Sequence, residues 1–167
     1  LSSLWSKIKM KKDFFDIMFK VMEKNEDIYL LFVGLGYPRY DEFKKKFGKR
    51  AINTEASEQT ALDIAVGLSY SGKVSIVYTI SSFFWRGAET IRTYLDHENL
   101  HSVLVGAGVK EEYGEHDGFS HSATDIPKLF DIFENFKQYY PNDKNELESA
   151  IIEAIENKKP NFINVHK

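Results

Sequence analysis

The chain contains no cysteine. Disulfide staples and thiolate metal sites are therefore closed to it, and the expected location is cytoplasmic. No apolar run approaches the ~20 residues that a helix needs to span a bilayer, so no membrane partner is expected. The opening residues, Leu1-Ser2-Ser3-Leu4-Trp5-Ser6-Lys7-Ile8-Lys9, lack the long apolar stretch of a secretory signal. Neither sign of charge dominates. A net charge of -3, with five histidines taken as neutral, gives no reason to expect nucleic acid. Repeats, low-complexity tracts and long linkers are absent as well. What is present is ordinary globular composition, 43% hydrophobic and 28% charged over 167 residues. That is enough for one compact domain with a genuine core. Met10 reads either as a natural initiator preceded by a vector remnant or as an internal methionine. Residues 1–10 are accordingly set apart as an N-terminal extension, and 11–167 as the domain.

Short apolar runs alternate with amphipathic stretches. Phe14, Phe15, Met18, Phe19 and Met22 recur at helical spacing between Lys11 and Lys24. Ile28 to Val33 reads as a buried strand, broken by Gly34-Leu35-Gly36-Tyr37-Pro38. A basic helix over Asp41 to Phe47 and a short strand over Ala51 to Thr54 follow. Ser57 is placed to cap a helix running to about Ser71, with Ala61, Leu62, Ala65, Val66 and Leu68 on its apolar side. Val74 to Ile80 is rich in β-branched residues and predicts a central strand. A helix is expected over Arg86 to His97, a strand over Ser102 to Gly106, and a polar loop over Gly108 to Asp125. The remaining elements are a helix at Ile126 to Phe133 with Pro127 in its first turn, a strand at Phe136 to Tyr140, a helix at Asp143 to Asn157 and a strand at Phe162 to Val165. This alternation predicts an α/β fold in three layers, a mostly parallel sheet with helices on both faces. Ligands of such sheets sit beyond the carboxyl ends of the strands, which directs attention to the loops after Val33, Ile80 and Gly106.

Several groupings there could carry chemistry. Gly34-Leu35-Gly36 lacks the third glycine and the immediate helix of a dinucleotide cradle, so a tight turn is the favoured reading. His97-Glu98-Asn99-Leu100-His101 matches the H-E-x-x-H zinc pattern, which needs both histidines on one helix and a third ligand. Strand residues begin at Ser102, so His101 belongs in a loop, and a solvated helix end is favoured, with no metal bound by this chain. Glu58 opens a helix. It is either an acid complementing the helix dipole or a buried carboxylate aimed at a ligand. Phe83-Phe84-Trp85, just past a central strand, either pack in a core or interface or stack a flat heterocycle. The long loop around Tyr113-Gly114-Glu115-His116-Asp117-Gly118-Phe119-Ser120-His121 has the length and composition of functional loops.

The order of these blocks resembles the pyrimidine-binding domain of transketolases and 1-deoxyxylulose-5-phosphate synthases. Asp41-Glu42-Phe43 with Arg50-Ala51-Ile52-Asn53 is similar to the family's "DEF…FPDRFINVG". Glu55-Ala56-Ser57-Glu58-Gln59 through Ala65-Val66-Gly67-Leu68-Ser69 resembles "GIAEQ…AAGLA". Val77-Tyr78-Thr79-Ile80-Ser81-Ser82-Phe83 with Arg86-Gly87-Ala88-Glu89-Thr90-Ile91-Arg92 resembles "F…RAxEQIR". Asp117-Gly118-Phe119-Ser120-His121 resembles "DGPTHQ". The resemblance runs from about Lys11 to the last strand. Two departures stand out: Gly34 where relatives often carry the acid of "GDLG", and Thr90 where they carry glutamine.

The resemblance implies roles. Glu58 would hydrogen-bond the aminopyrimidine ring nitrogen of thiamine diphosphate and promote the imino tautomer that removes the thiazolium proton. Phe83 would stack on the pyrimidine, with Phe84 as the alternative carrier of that role. His121 would face the hydroxyl end of the substrate, with His116 and Arg86 as further substrate residues. The family holds the diphosphate and Mg²⁺ through a separate domain carrying "GDG…N", and no such motif occurs in this sequence. The implied protein is therefore one subunit of a two-chain, transketolase-like transferase. It would act on sugar (phosphate) substrates and be active only with a diphosphate-binding partner that holds Mg²⁺. The expected assembly is a heterotetramer that includes homodimerisation of this chain. The alternatives are a catalytically inactive interaction or regulatory module that kept the fold, or a fragment of a deoxyxylulose-phosphate-synthase-like enzyme.

Overall fold

The apolar residues of each strand fall alternately on opposite sides, and that period of two builds a separate core on each face of the sheet. Leu30, Phe32, Ile76, Tyr78, Val103, Val105, Ile163 and Val165 join one cluster. Their neighbours Leu31, Val77, Leu104 and Phe162 join the other. The computed structural model describes residues 10–35 and 37–167, so the N-terminal segment 1–9 lies outside the described residues.

The elements run α1 (Met10–Lys24), β1 (Ile28–Phe32), α2 (Tyr37–Phe47), β2 (Ala51–Asn53), α3 (Glu58–Tyr70) and β3 (Val74–Ile80). A 3₁₀ turn at Ser81–Gly87 leads into α4, which spans residues 88–96. Then come β4 (Ser102–Ala107), the single-turn helix α5 (Gly114–Asp117), α6 (Ile126–Asp131), β5 (Lys137–Tyr139), α7 (Lys144–Glu156) and β6 (Asn161–Val165). The six strands form one sheet in the order β2-β1-β3-β4-β6-β5, and every ladder is parallel. β2 and β5, three residues each, are the outer strands.

α1, α2 and α7 cover one face through Phe14, Phe15, Phe43, Phe47 and Leu147. α3, α4 and α6 cover the other through Leu62, Ile91, Leu95 and Phe130. Phe130 stacks on Phe162 of β6 at 3.8 Å between ring centroids. Met10, the first residue of α1, is fully packed. No helix among the described residues is long and apolar enough to cross a membrane.

The sequence predicts these elements in this order, and the differences have physical causes. α2 starts at Tyr37 rather than Asp41, because Pro38 falls in the first turn, where a missing N–H costs nothing. Ser57 precedes α3 but makes no capping bond; its hydroxyl pairs with Thr60 Oγ1 at 2.7 Å. Asp143 caps α7 by accepting from the N–H groups of Asn145 and Glu146. The helix expected over 86–97 is composite. It is 3₁₀ to Gly87, α over Ala88–Thr90 and π from Ile91 to Asp96, where the N–H of His97 reaches the Arg92 carbonyl at 3.1 Å. The expected loop 108–125 is folded. The N–H of Ala123 donates to Lys110 O at 2.7 Å, and Ser122 Oγ donates to Glu111 Oε1 at 2.7 Å. A short helical turn lies between these two ties.

The strand order places β1 between β2 and β3, so the chain leaves β1 in one direction and returns on the other side. A crevice opens at such a reversal, beyond the carboxyl ends of the strands.

Candidate functional site

Two segments meet at that crevice. The first follows β2. Asn53 Oδ1 accepts from the N–H of Glu55 at 2.9 Å, and Glu55 takes a φ of +52°, which turns the chain into α3. This tight turn delivers Glu58 as the first residue of α3, where the helix dipole favours a carboxylate. The second is the 3₁₀ turn after β3, which carries Ser82, Phe83, Trp85 and Arg86.

Glu58 is only 4% exposed, and its Oε1 accepts from Arg86 Nη1 at 2.8 Å, whereas the Arg86 side chain is 50% exposed. The guanidinium carbon of Arg86 lies 4.0 Å from the centroid of the Phe83 ring. Phe83 in turn meets the His121 ring at 4.9 Å, inclined by 65°. His121 Nδ1 shares a hydrogen bond of 3.0 Å with Ser120 Oγ. Ser82 Oγ donates to Ser120 O at 2.9 Å, tying the long loop to the turn after β3. One continuous chain of contacts thus links Glu58, Arg86, Phe83 and His121. A cleft of 220 Å³ adjoins it, lined in part by Ser82, Phe83, Trp85, Arg86, Phe119 and Ser120. Trp85, 44% exposed, and Phe119, 84% exposed, stand among the lining side chains.

The turn that carries Phe83 is anchored from below. Asn164 Nδ2 donates to Ser81 Oγ at 2.7 Å, Gly106 O at 3.0 Å and Gly108 O at 2.9 Å. Ser81 Oγ donates onward to Gly108 O at 2.7 Å. All of these groups are buried, so their bonds form in a medium where losing a partner is costly. Gly106 is the residue that admits this arrangement, because a side chain there would run into Ser81.

The other residues singled out from the sequence sit as follows. Phe84 turns into the core, edge-on to Phe130 at 6.1 Å and Phe162 at 6.0 Å, so of the two phenylalanines it is Phe83 that borders the cleft. His116 lies exposed on α5, outside the chain of contacts. His97 follows the end of α4 with its side chain 79% exposed, whereas His101 turns away to bond the Ala154 carbonyl at 2.9 Å. The two are not presented together, and among the described residues no group of three or more His, Cys, Asp or Glu side chains could hold a metal ion.

The two departures from the family pattern acquire local reasons. Gly34 adopts a φ of +68°, a conformation costly for a residue with a side chain. Thr90 packs against α3, its hydroxyl receiving Gln59 Nε2 at 2.5 Å and lying 3.3 Å from Asp63 Oδ1. Sequence reasoning missed the Glu58–Arg86 pair and the role of Asn164. A signal for the second was available: an amide inside an apolar, buried strand must find hydrogen-bond partners.

Comparison with known proteins gives a consistent result. Residues 6–167 match the family described as transketolase, pyrimidine binding domain. A putative transketolase C-terminal section from Methanocaldococcus jannaschii is 26% identical over 156 residues, covering 92% of this chain and 49% of the relative. A subunit of an apulose-4-phosphate transketolase from Actinobacillus succinogenes is 29% identical over 122 residues, covering 72% of this chain and 39% of the relative. This chain thus spans half or less of the length of these relatives. Among solved structures, a split gene transketolase described as an inactive β4 tetramer superposes with a TM-score of 0.81 at 22% identity, over 93% of this chain and 50% of that one. Transketolase from Leishmania mexicana superposes with a TM-score of 0.82 at 14% identity, over 93% of this chain and 24% of that one. At these identities the superpositions establish the fold.

Proposed function

This chain belongs to the transketolase pyrimidine-binding domain family, and on that premise we propose that it is the pyrimidine-binding subunit of a two-chain, thiamine diphosphate-dependent transferase. The observation that carries the reading is Glu58, a carboxylate buried at the start of a helix and presented at the sheet's carboxyl edge beside a partly buried aromatic ring. The residues present fit the aminopyrimidine half of the cofactor. Glu58 offers a carboxyl group in a site largely shielded from water, where a proton shared with a ring nitrogen makes a strong hydrogen bond. Phe83 offers a ring for stacking.

When bound, thiamine diphosphate supplies the nucleophilic carbon for moving a two-carbon ketol unit between sugar phosphates. The chain's own residues do the rest of the work on this side of the site. Glu58 holds a proton at the pyrimidine ring nitrogen, Phe83 fixes the plane of the ring, and His121, placed against Phe83, faces the hydroxyl end of the substrate. Arg86 and His116 belong to the substrate side.

The proposed holder of the diphosphate and its Mg²⁺ is a partner chain carrying the "GDG…N" motif. One relative is named as a C-terminal section and another as a lettered subunit, and one solved relative is described as a split gene transketolase, an inactive β4 tetramer. These descriptions support a division of the enzyme between chains, with this one pairing with itself and with a diphosphate-binding subunit. The exposed Trp85 and Phe119 at the cleft suit burial by that subunit.

The test is reconstitution. The chain is mixed with a diphosphate-domain transketolase subunit from the same source, and ketol transfer from a ketose phosphate to an aldose phosphate is followed in thiamine diphosphate and Mg²⁺. Activity is expected only in the mixture, and Glu58→Ala is expected to abolish it. Full activity in the Glu58→Ala mixture overturns the mechanism. A mixture that neither binds the cofactor nor transfers ketol leaves the chain an interaction module.

A further inference from the structure

We propose that Arg86 competes with the cofactor for the pyrimidine site, making on Glu58 and Phe83 the two contacts that the cofactor's ring would make, and that cofactor binding displaces it. The inference rests on the functional reading above and concerns a step that precedes catalysis.

Three observations converge on it. First, the guanidinium is a flat group, and its carbon stands 4.0 Å from the Phe83 ring centroid, a distance suited to stacking. Second, the same guanidinium donates to Glu58 Oε1 at 2.8 Å. A flat, nitrogen-rich donor placed on Phe83 and bonded to Glu58 reproduces the pattern assigned to the aminopyrimidine. Third, the two partners are unequally held. Glu58 is 4% exposed and fixed at the first turn of α3, whereas the Arg86 side chain is 50% exposed on a 3₁₀ turn that faces the cleft.

The physical logic concerns Glu58. A buried carboxylate with no counter-charge is destabilising, because its hydration is lost and nothing replaces it. Arg86 supplies the counter-charge until a ligand supplies a hydrogen bond instead. Its long side chain can then leave the ring and swing within the cleft, whose lining includes a second carboxylate, Asp125. The exchange makes cofactor entry a competition between a tethered group and a free one. It also makes entry sensitive to salt, which weakens a half-exposed ion pair.

The test uses the two-chain complex and measures binding rather than turnover. Thiamine diphosphate with Mg²⁺ is titrated into the wild type, Arg86→Met, Glu58→Gln and the double variant, with calorimetry or Trp fluorescence as the readout. Methionine keeps the apolar stem and removes the flat cation. Arg86→Met is expected to bind the cofactor about fivefold more tightly than wild type, the scale of a half-exposed ion pair near 1 kcal/mol. In the Glu58→Gln background the same change is expected to have no such effect, since the guanidinium is no longer drawn to position 58. Unchanged or weaker binding by Arg86→Met overturns the inference while leaving the functional reading intact. A complex in which none of the four forms binds thiamine diphosphate overturns both.

Discussion

Gly106 provides a quantitative test of how the site is anchored. A β-carbon added at this position of β4 would stand 2.5 Å from Ser81 Oγ and 3.0 Å from both Ser81 Cα and Ser81 Cβ. Ser81 has little freedom to retreat. Its hydroxyl is bonded to Gly108 O and receives Asn164 Nδ2, both at 2.7 Å. Its main chain begins the turn that carries Phe83 and Arg86. Overpacking a well-filled interior costs about 1–3 kcal/mol, and a buried hydrogen bond broken in the process adds ~1 kcal/mol. Gly106→Ala should therefore lose about 2–4 kcal/mol, on the order of a 1 M fall in urea midpoint and roughly 5–15 °C in Tm. Gly67→Ala is the internal control. Gly67 lies inside α3, and beyond the helix's own neighbouring backbone an added β-carbon there meets nothing within 4 Å. Alanine there should gain ~0.8–1.0 kcal/mol of helix propensity. Urea denaturation followed by circular dichroism on the three proteins decides the matter. A Gly106→Ala protein within about 0.5 kcal/mol of wild type would refute the argument, because surface-like tolerance at that position means Ser81 is free to move.

Two further outcomes follow from the same interior. Asn164→Ala leaves three buried acceptors without its amide and should cost about 3 kcal/mol, measured as a drop in urea midpoint; it should also weaken thiamine diphosphate binding by the two-chain complex, since the turn bearing Phe83 loses its anchor. Burial holds the His101 imidazole below its ordinary value of 6.5, against the pull of the Ala154 carbonyl and with Lys158 adding to the depression. The unfolded chain therefore takes up this proton first. His101 contributes fully to stability above pH 6.5, and the contribution is lost as pH falls through the lower folded value. NMR titration should find the ring midpoint below 6.5, and His101→Gln should flatten that part of the stability profile.

The architecture was legible in the sequence because it depends on periodicity. The β-branched run Val74–Ile80, the apolar run Ile28–Phe32 and the intervening amphipathic segments leave few alternatives to a parallel α/β sheet. Ends and irregular turns were less legible. The capacity of Ser57 to cap was offset by a competing hydroxyl at Thr60, a choice made by local geometry rather than residue type. The π segment Ile91–Asp96 carries no periodic signature of its own. Within the site, the type of residue at position 58 identified it as a candidate, but its partner did not announce itself. Arg86 is 28 residues away, and the two meet only because β1 separates β2 from β3 and the loops after both outer members of that trio converge. The fold of the 108–125 loop likewise depends on contacts such as Ser122 with Glu111, which no local pattern encodes.

The brevity of the two outermost strands has a consequence for assembly. β2 and β5 each offer three residues of unpaired ladder, too little for a second sheet to continue the first by main-chain bonding. Growth by lateral addition is thereby discouraged, and a visiting chain must instead read side chains on helical faces or on the rim where Trp85 and Phe119 project. Recognition routed that way is selective by shape, so the same economy that protects the margins from indiscriminate pairing also reserves the rim for a specific guest.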